Sequence, residues 1–198
     1  MLFLYQLILT IIILISPALI VFRILKNKEH RSRYKEKFGF YSKRRVNGKL
    51  IWFHGASVGE ILSIIPLVKN YEKDKSINQI LITSSTLSSS KIIKKFKFKK
   101  TIHQFYPVDH IFITQKFLKY WKPNVAIYIE SEVWPSMFNE LDRKKIPLIL
   151  LNTRITKKSF NRWQIFPNFA NQVFGKISLA LPQNQETLKY LKLLKVKN

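Results

Sequence analysis

Leu50-Ile51-Trp52-Phe53-His54-Gly55-Ala56-Ser57-Val58-Gly59-Glu60 is the stretch on which the fold turns. An unbroken apolar run gives way to a turn of small residues, and the chain resumes at 61–71 with an apolar helical face. Continuous rather than alternating apolar residues suit a strand covered on both faces, the environment of a parallel sheet. The same beat recurs down the chain. Apolar runs at 80–83, 102–106, 125–129, 147–151 and 177–181 lie about 20 to 30 residues apart, room for one crossover helix each. Stretches 87–96, 111–121, 134–144 and 186–194 supply further helices with apolar faces. Pro123 and Pro147 stand just before strands, where proline ends the preceding helix, and Pro135 suits a first helical turn. Pro66 falls inside the 61–71 helix, which either kinks there or begins near Ser63. The predicted class is α/β, a doubly wound, Rossmann-like parallel sheet with ligands at the carboxyl ends of its strands.

Composition bounds what such a sheet belongs to. The 198 residues allow one full domain, and 46% hydrophobic content with 15 Phe excludes a disordered basic tail. With no cysteine there is no disulfide, thiol nucleophile or thiolate metal site. Charge is lopsided: 35 Lys plus Arg against 11 Asp plus Glu, a net +24. From Leu2 to Phe22 no residue is charged. As a helix that stretch reaches about 31 Å, enough for a hydrocarbon core of about 30 Å. We read residues 1–25 as a membrane anchor helix. A signal peptide would carry a basic n-region and a small-residue cleavage site that this stretch lacks, and the other competitor is a buried core helix. Arg23 to Lys49 then holds 11 Lys or Arg and only two acids, Glu29 and Glu36. By the positive-inside rule everything after the helix lies in the cytoplasm, a single-pass arrangement. Segment 26–49 is either a patch on anionic lipid, each cation contributing about 1 kcal/mol, or a solvated linker. The domain proper is then 50–198.

Chemistry is expected in the loops that leave the strands, and two are unusual. In the first, His54 to Glu60, backbone amides opening a helix can cradle an anion beside Ser57, and Gly59 permits close approach. Glu60 suits a general base aimed at a hydroxyl; the alternative is a first-turn acid complementing the helix dipole. G-x-x-x-G is not a dinucleotide fingerprint. In the second loop, Glu130-Ser131-Glu132-Val133-Trp134-Pro135, two carboxylates flank a serine at a strand end. They suit acceptor binding or charge stabilisation in a transition state, unless one simply caps the next helix. The run Thr83 to Ser90 offers hydroxyls, of which Ser84 and Thr86 join Ser57, Gly59 and Arg154 as candidate acceptor-binding residues, although such turns usually cap helices. Arg154, in Asn152-Thr153-Arg154, places a cation at the same rim, able to pair with a phosphate or with Glu132.

These residues carry a resemblance. Trp52 to Glu60 with Pro66, Pro107-Val108-Asp109, Glu130 to Pro135 and Asn152-Thr153-Arg154 resemble the amino-terminal half of 3-deoxy-D-manno-octulosonic acid (Kdo) transferases, as do Arg33 to Gly39 and Pro182 to Asn184. The resemblance runs in order over nearly the whole chain. It implies the amino-terminal half of a GT-B glycosyltransferase preceded by one membrane helix. It further implies transfer of Kdo from CMP-Kdo to a lipid A precursor, with inversion and no metal, at the cytoplasmic face of the inner membrane. Position by position it makes Glu60 the proton acceptor and gives Glu130 or Glu132 a transition-state role. The chain departs from the family where Ser88, Ser89 and Ser90 replace a glycine turn. It also stops at Asn198, before the glycine-rich nucleotide site of the family's second domain. The expectation is an acceptor half that needs the donor half for activity.

Two other classes compete. One is a non-catalytic, membrane-tethered module binding lipid A or anionic lipid, with Glu60 idle. The other is nucleic-acid binding through Lys91, Lys94, Lys95, Lys97, Lys99 and Lys100 around Phe96 and Phe98, for which no recognised motif appears. His54, His103 and His110 read as structural rather than metal-ligating. Trp163, Phe166 and Phe169 fall on one side of a segment that packs inward or faces lipid.

Overall fold

The computed structural model describes residues 1–130 and 132–196. β1 (Leu50–His54) lies inside a six-stranded parallel sheet with β2 (Gln79–Ser84), β3 (Thr101–Phe105), β4 (Val125–Ile129), β5 (Leu148–Thr153) and β6 (Leu179–Pro182). The order is β3-β2-β1-β4-β5-β6, so the α/β class and parallel sheet are as predicted, and each apolar run forms a strand. Strand order reverses between β1 and β4, the point where an open α/β sheet splays its loops apart. All of β1 and β2 is buried, which is why their sequences do not alternate.

Alternation reappears in which layer each residue enters. Leu50 and Trp52 join the core of α4 (Ile111–Trp121), α5 (Pro135–Arg143), α7 (Pro167–Phe174) and α8 (Gln185–Leu193). Ile51 and Phe53 join that of α2 (Val58–Lys73) and α3 (Leu87–Lys95). Each fully buried Trp, Phe or Ile contributes about 1.5–3 kcal/mol. α2 starts at Val58, so Pro66 sits inside it and Ser63 is not its start. The proline removes the bond to the Leu62 carbonyl, and Leu62 is exposed to solvent. Between β5 and β6 the chain makes two short helices, α6 (Lys157–Gln164) and α7, neither of which the apolar spacing revealed. Thr156 caps α6 and Pro167 opens α7.

Part of segment 26–49 packs on the domain, while many of its cations stay exposed. A 3-10 turn, Arg33–Phe38, closes at Gly39 (φ +79°), a left-handed position that favours glycine. Glu36 is only 1% exposed and accepts from Arg33 Nε (2.7 Å) and Nη2 (2.9 Å) and from the Phe105 amide at the end of β3 (2.8 Å). Glu29, also buried, pairs with Lys37 at 2.6 Å and Arg23 at 3.3 Å. α1 (Leu2–Leu25) has 24 residues and a mean hydropathy of 2.7 over its most apolar window, long and apolar enough to cross a membrane.

Candidate functional site

The carboxyl ends of β1, β4 and β5 gather most of the residues singled out above. Ser57 is the N-cap of α2: its hydroxyl accepts from the Glu60 amide at 3.2 Å, and the Glu60 carboxylate reaches back to accept from the Ala56 amide at 2.8 Å. Serine and glutamate three apart thus form a reciprocal cap, displaced by one residue from the usual capping box. Glu60 is 9% exposed. A Cβ on Gly55 would lie 3.1 Å from Glu60 Cβ and 3.2 Å from Ile61 Cδ1, so Gly55 is the glycine that lets Glu60 fold over the turn. Gly59, expected to allow close approach, faces open space, its nearest neighbour 3.9 Å away. It leaves room for a ligand rather than for the chain.

Across the switch point, His54 is wholly buried. Its Nδ1 lies 3.0 Å from Thr83 Oγ1, which accepts from Trp52 Nε1 at 2.8 Å, and its ring packs on Tyr106 with centroids 3.9 Å apart. Nδ1 also lies 3.2 Å from the Thr83 carbonyl, and Nε2 faces Glu132 Oε2, 3.5 Å away. Trp134 Nε1 donates to the same oxygen at 3.0 Å. Burial pushes the Glu132 carboxyl up, but the His54 and Trp134 donors outweigh it and hold it below the usual carboxylate range. The result is an ionised carboxylate, a quarter exposed, aimed by a buried histidine that the sequence identified only as a structural residue.

Glu130 follows β4 with φ +58°, and Asn152 in β5 has φ +55°. Left-handed backbone at a glutamate is strained, and it turns the chain sharply at the strand end. Ser131, between the two acids, lies outside the described residues. Arg154 is exposed just past β5. Thr86 is the N-cap of α3, its hydroxyl accepting from the Ser89 amide at 3.2 Å. Ser84 is fully buried with Oγ 2.8 Å from His103 Nε2. Burial, then the Arg33 and Lys94 charges, push His103 down to about 3, so the neutral ring accepts from Arg33 Nη2 and donates to Ser84. The Ser84 hydroxyl is spent inside the fold, in place of the expected acceptor contact.

Sequence reasoning left Asp109 without a role. It is 1% exposed, and its carboxylate accepts from the Ser136 and Met137 amides at 2.9 and 2.8 Å, capping α5 from across the sheet edge. Burial pushes its carboxyl up to about 6.

Residues 32–198 match the family model described as 3-deoxy-D-manno-octulosonic-acid transferase (kdotransferase). The chain is 38% identical over 173 residues to a probable mitochondrial 3-deoxy-D-manno-octulosonic acid transferase of Arabidopsis thaliana, covering 85% of this chain and 39% of that one. It is 38% identical over 181 residues to the 3-deoxy-D-manno-octulosonic acid transferase of Rickettsia bellii, covering 91% and 43%. With the enzyme of that name from Haemophilus influenzae it shares 27% over 179 residues, 88% and 42%. The chain spans about two fifths of the length of these relatives. The model match takes in the sheet and both acidic loops, and on it the chain belongs to the 3-deoxy-D-manno-octulosonic-acid transferase family.

Proposed function

We propose that this chain is the acceptor-binding half of an inverting glycosyltransferase that moves Kdo from CMP-Kdo to a lipid A precursor at the cytoplasmic face of the inner membrane. Glu60 is the general base. It takes the proton of the acceptor hydroxyl while that oxygen attacks the anomeric carbon, and the bond to the CMP phosphate breaks. Glu132, kept ionised by His54 and Trp134, stabilises positive charge developing on the sugar, and Glu130, Arg154 and the Ser57 and Thr86 hydroxyls line the acceptor. α1 serves as the membrane anchor. The observation that carries the reading is a carboxylate held by one backbone amide at the sheet's switch point, with open space beside Gly59.

The test is Kdo transfer to a lipid A precursor by this chain with a donor-domain polypeptide supplied in trans, which holds both reactants in register. Glu60→Gln should lower transfer by about 10²–10⁴, the usual contribution of a general base. Full transfer by the variant removes Glu60 from the chemistry. The Ser57–Glu60 reciprocal cap favours a second reading, a non-catalytic module binding lipid A or anionic lipid. Under that reading Glu60→Gln leaves lipid binding intact and no transfer appears with either protein.

A further inference from the structure

Between Leu2 and Phe22 the side chains that can hydrogen-bond are Tyr5, Gln6, Thr10 and Ser16, and the first three are engaged with the domain. Tyr5 donates to Asp109 Oδ2 at 2.9 Å. Gln6 accepts from the Ile111 amide at 3.0 Å and donates to Ser136 Oγ. Thr10 Oγ1 lies 3.2 Å from His110 Nε2. These partners are the first turns of α4 and α5, which follow β3 and β4, so the front of α1 is pinned at the sheet end that carries Glu60 and Glu132. Beside the pins, Met1, Leu4 and Ile8 face Trp163, Phe166 and Phe169 across a groove of about 470 Å³. The far end of α1 is tied to the same region: Arg23 pairs with Glu29, Glu29 with Lys37, and the Lys37 carbonyl accepts from the Val108 amide at 2.8 Å.

A bilayer-crossing helix cannot keep these contacts. Tyr5 and Arg23 are separated by about 27 Å of helix, so with Arg23 at one surface of a hydrocarbon core of about 30 Å a crossing helix would carry Tyr5 to the far side and Thr10 into the middle, while their partners stay with the domain on one side. It would also strip three polar side chains of their partners inside the membrane, each a cost that lipid cannot offset. Yet the outer face cannot face water either: Phe3 is 82%, Leu14 75% and Leu25 76% exposed. We infer that α1 lies in the plane of the membrane, its pinned face on the domain and its outer face in lipid, so that the rim bearing Glu60 is held at the bilayer surface. This holds whether or not the chain transfers sugar, because it rests on the anchor's contacts alone.

The chain has no cysteine, so single thiols report topology cleanly. A thiol is placed on a short extension ahead of Met1 and, separately, at exposed Lys97 (Lys97→Cys). Each is treated with a membrane-impermeant maleimide in spheroplasts and in inverted inner-membrane vesicles. The inference expects both thiols to label from one side. In the same vesicles Gln6→Cys with Ser136→Cys should be joined by a short bifunctional thiol cross-linker that spans the length of the lost glutamine amide. Leu7→Cys with Ser136→Cys, turned about 100° around the helix, should not. Labelling of the N-terminal thiol from the side opposite Lys97→Cys, or a 6–136 link no more efficient than 7–136, overturns the inference.

Discussion

Replacing Glu36 with alanine removes one partner of a buried ion pair and tests whether the basic segment is part of the fold. Arg33 and Glu36 side chains are 13% and 1% exposed. Losing one member of such a pair costs about 3–5 kcal/mol, because the other charge is left buried. Here Arg33 keeps the His103 carbonyl at 2.9 Å and lies over the Phe105 ring at 4.9 Å, which points to the lower end, about 3 kcal/mol. The Phe105 amide loses its acceptor inside the protein and adds about 1 kcal/mol. The sum, about 4 kcal/mol, lowers the melting midpoint by about 8–16 °C for a chain of this size. Tryptophan fluorescence melts of the detergent-solubilised protein read the midpoint, and limited trypsinolysis at Lys35 and Lys37 reads release of the segment from β3. Arg33→Ala with Glu36→Ala should cost less than the two single changes added together. A midpoint shift below about 2 °C with unchanged tryptic lifetimes would mean that the segment contributes nothing to the fold, and the reasoning fails.

Gly55→Ala should push Glu60 off its Ala56 bond and cut transfer sharply at a stability cost of about 1–3 kcal/mol, whereas Gly59→Ala should fold like the parent; equal melts and equal transfer for both variants would contradict the geometry. Trp134→Phe removes one of the two donors at Glu132, so its carboxyl rises toward the ordinary range. The stabilisation from that carboxylate is present above the ordinary carboxylate pKa and fades as pH falls through the lowered folded value, so the variant should begin to lose it at higher pH than the parent in pH-resolved melts. Asp109 has the opposite sign. With a folded value of about 6 against an ordinary 3.8, the folded state binds the proton more tightly, so stability rises as pH falls between them. Relative to Asp109→Asn, the parent should gain about 2 kcal/mol between pH 7.5 and 4.5, and a flat difference in denaturant titrations would refute the burial argument.

Much of the architecture was legible because it follows from local chemistry. A strand buried on both faces must be apolar throughout, and a crossover helix needs a fixed length of chain, so the six runs revealed themselves. The hydroxyl cap before α3 and the Pro135 helix start follow from orphaned amides at helix starts, which a hydroxyl can serve and a proline leaves unneeded. What stayed hidden involves partners far apart in the chain. Glu36 reads as a stray acid among cations until β3 presents the Phe105 amide, 69 positions away. Asp109 has no role until α5 places two amides against it. His54 reads as a strand-end residue until Thr83 and Glu132 close on its two nitrogens.

By itself, then, the sequence determined the layered α/β class, the strands and the helices between them except α6 and α7, the apolar amino-terminal helix and the two acidic loops, since periodicity, proline and capping are properties of neighbouring residues. Only the tertiary structure decided which of those acids are held by amides, which by a histidine, and where the apolar helix rests. Those outcomes depend on hydrogen-bond partners and burial brought together by the order β3-β2-β1-β4-β5-β6, and no local spacing encodes them.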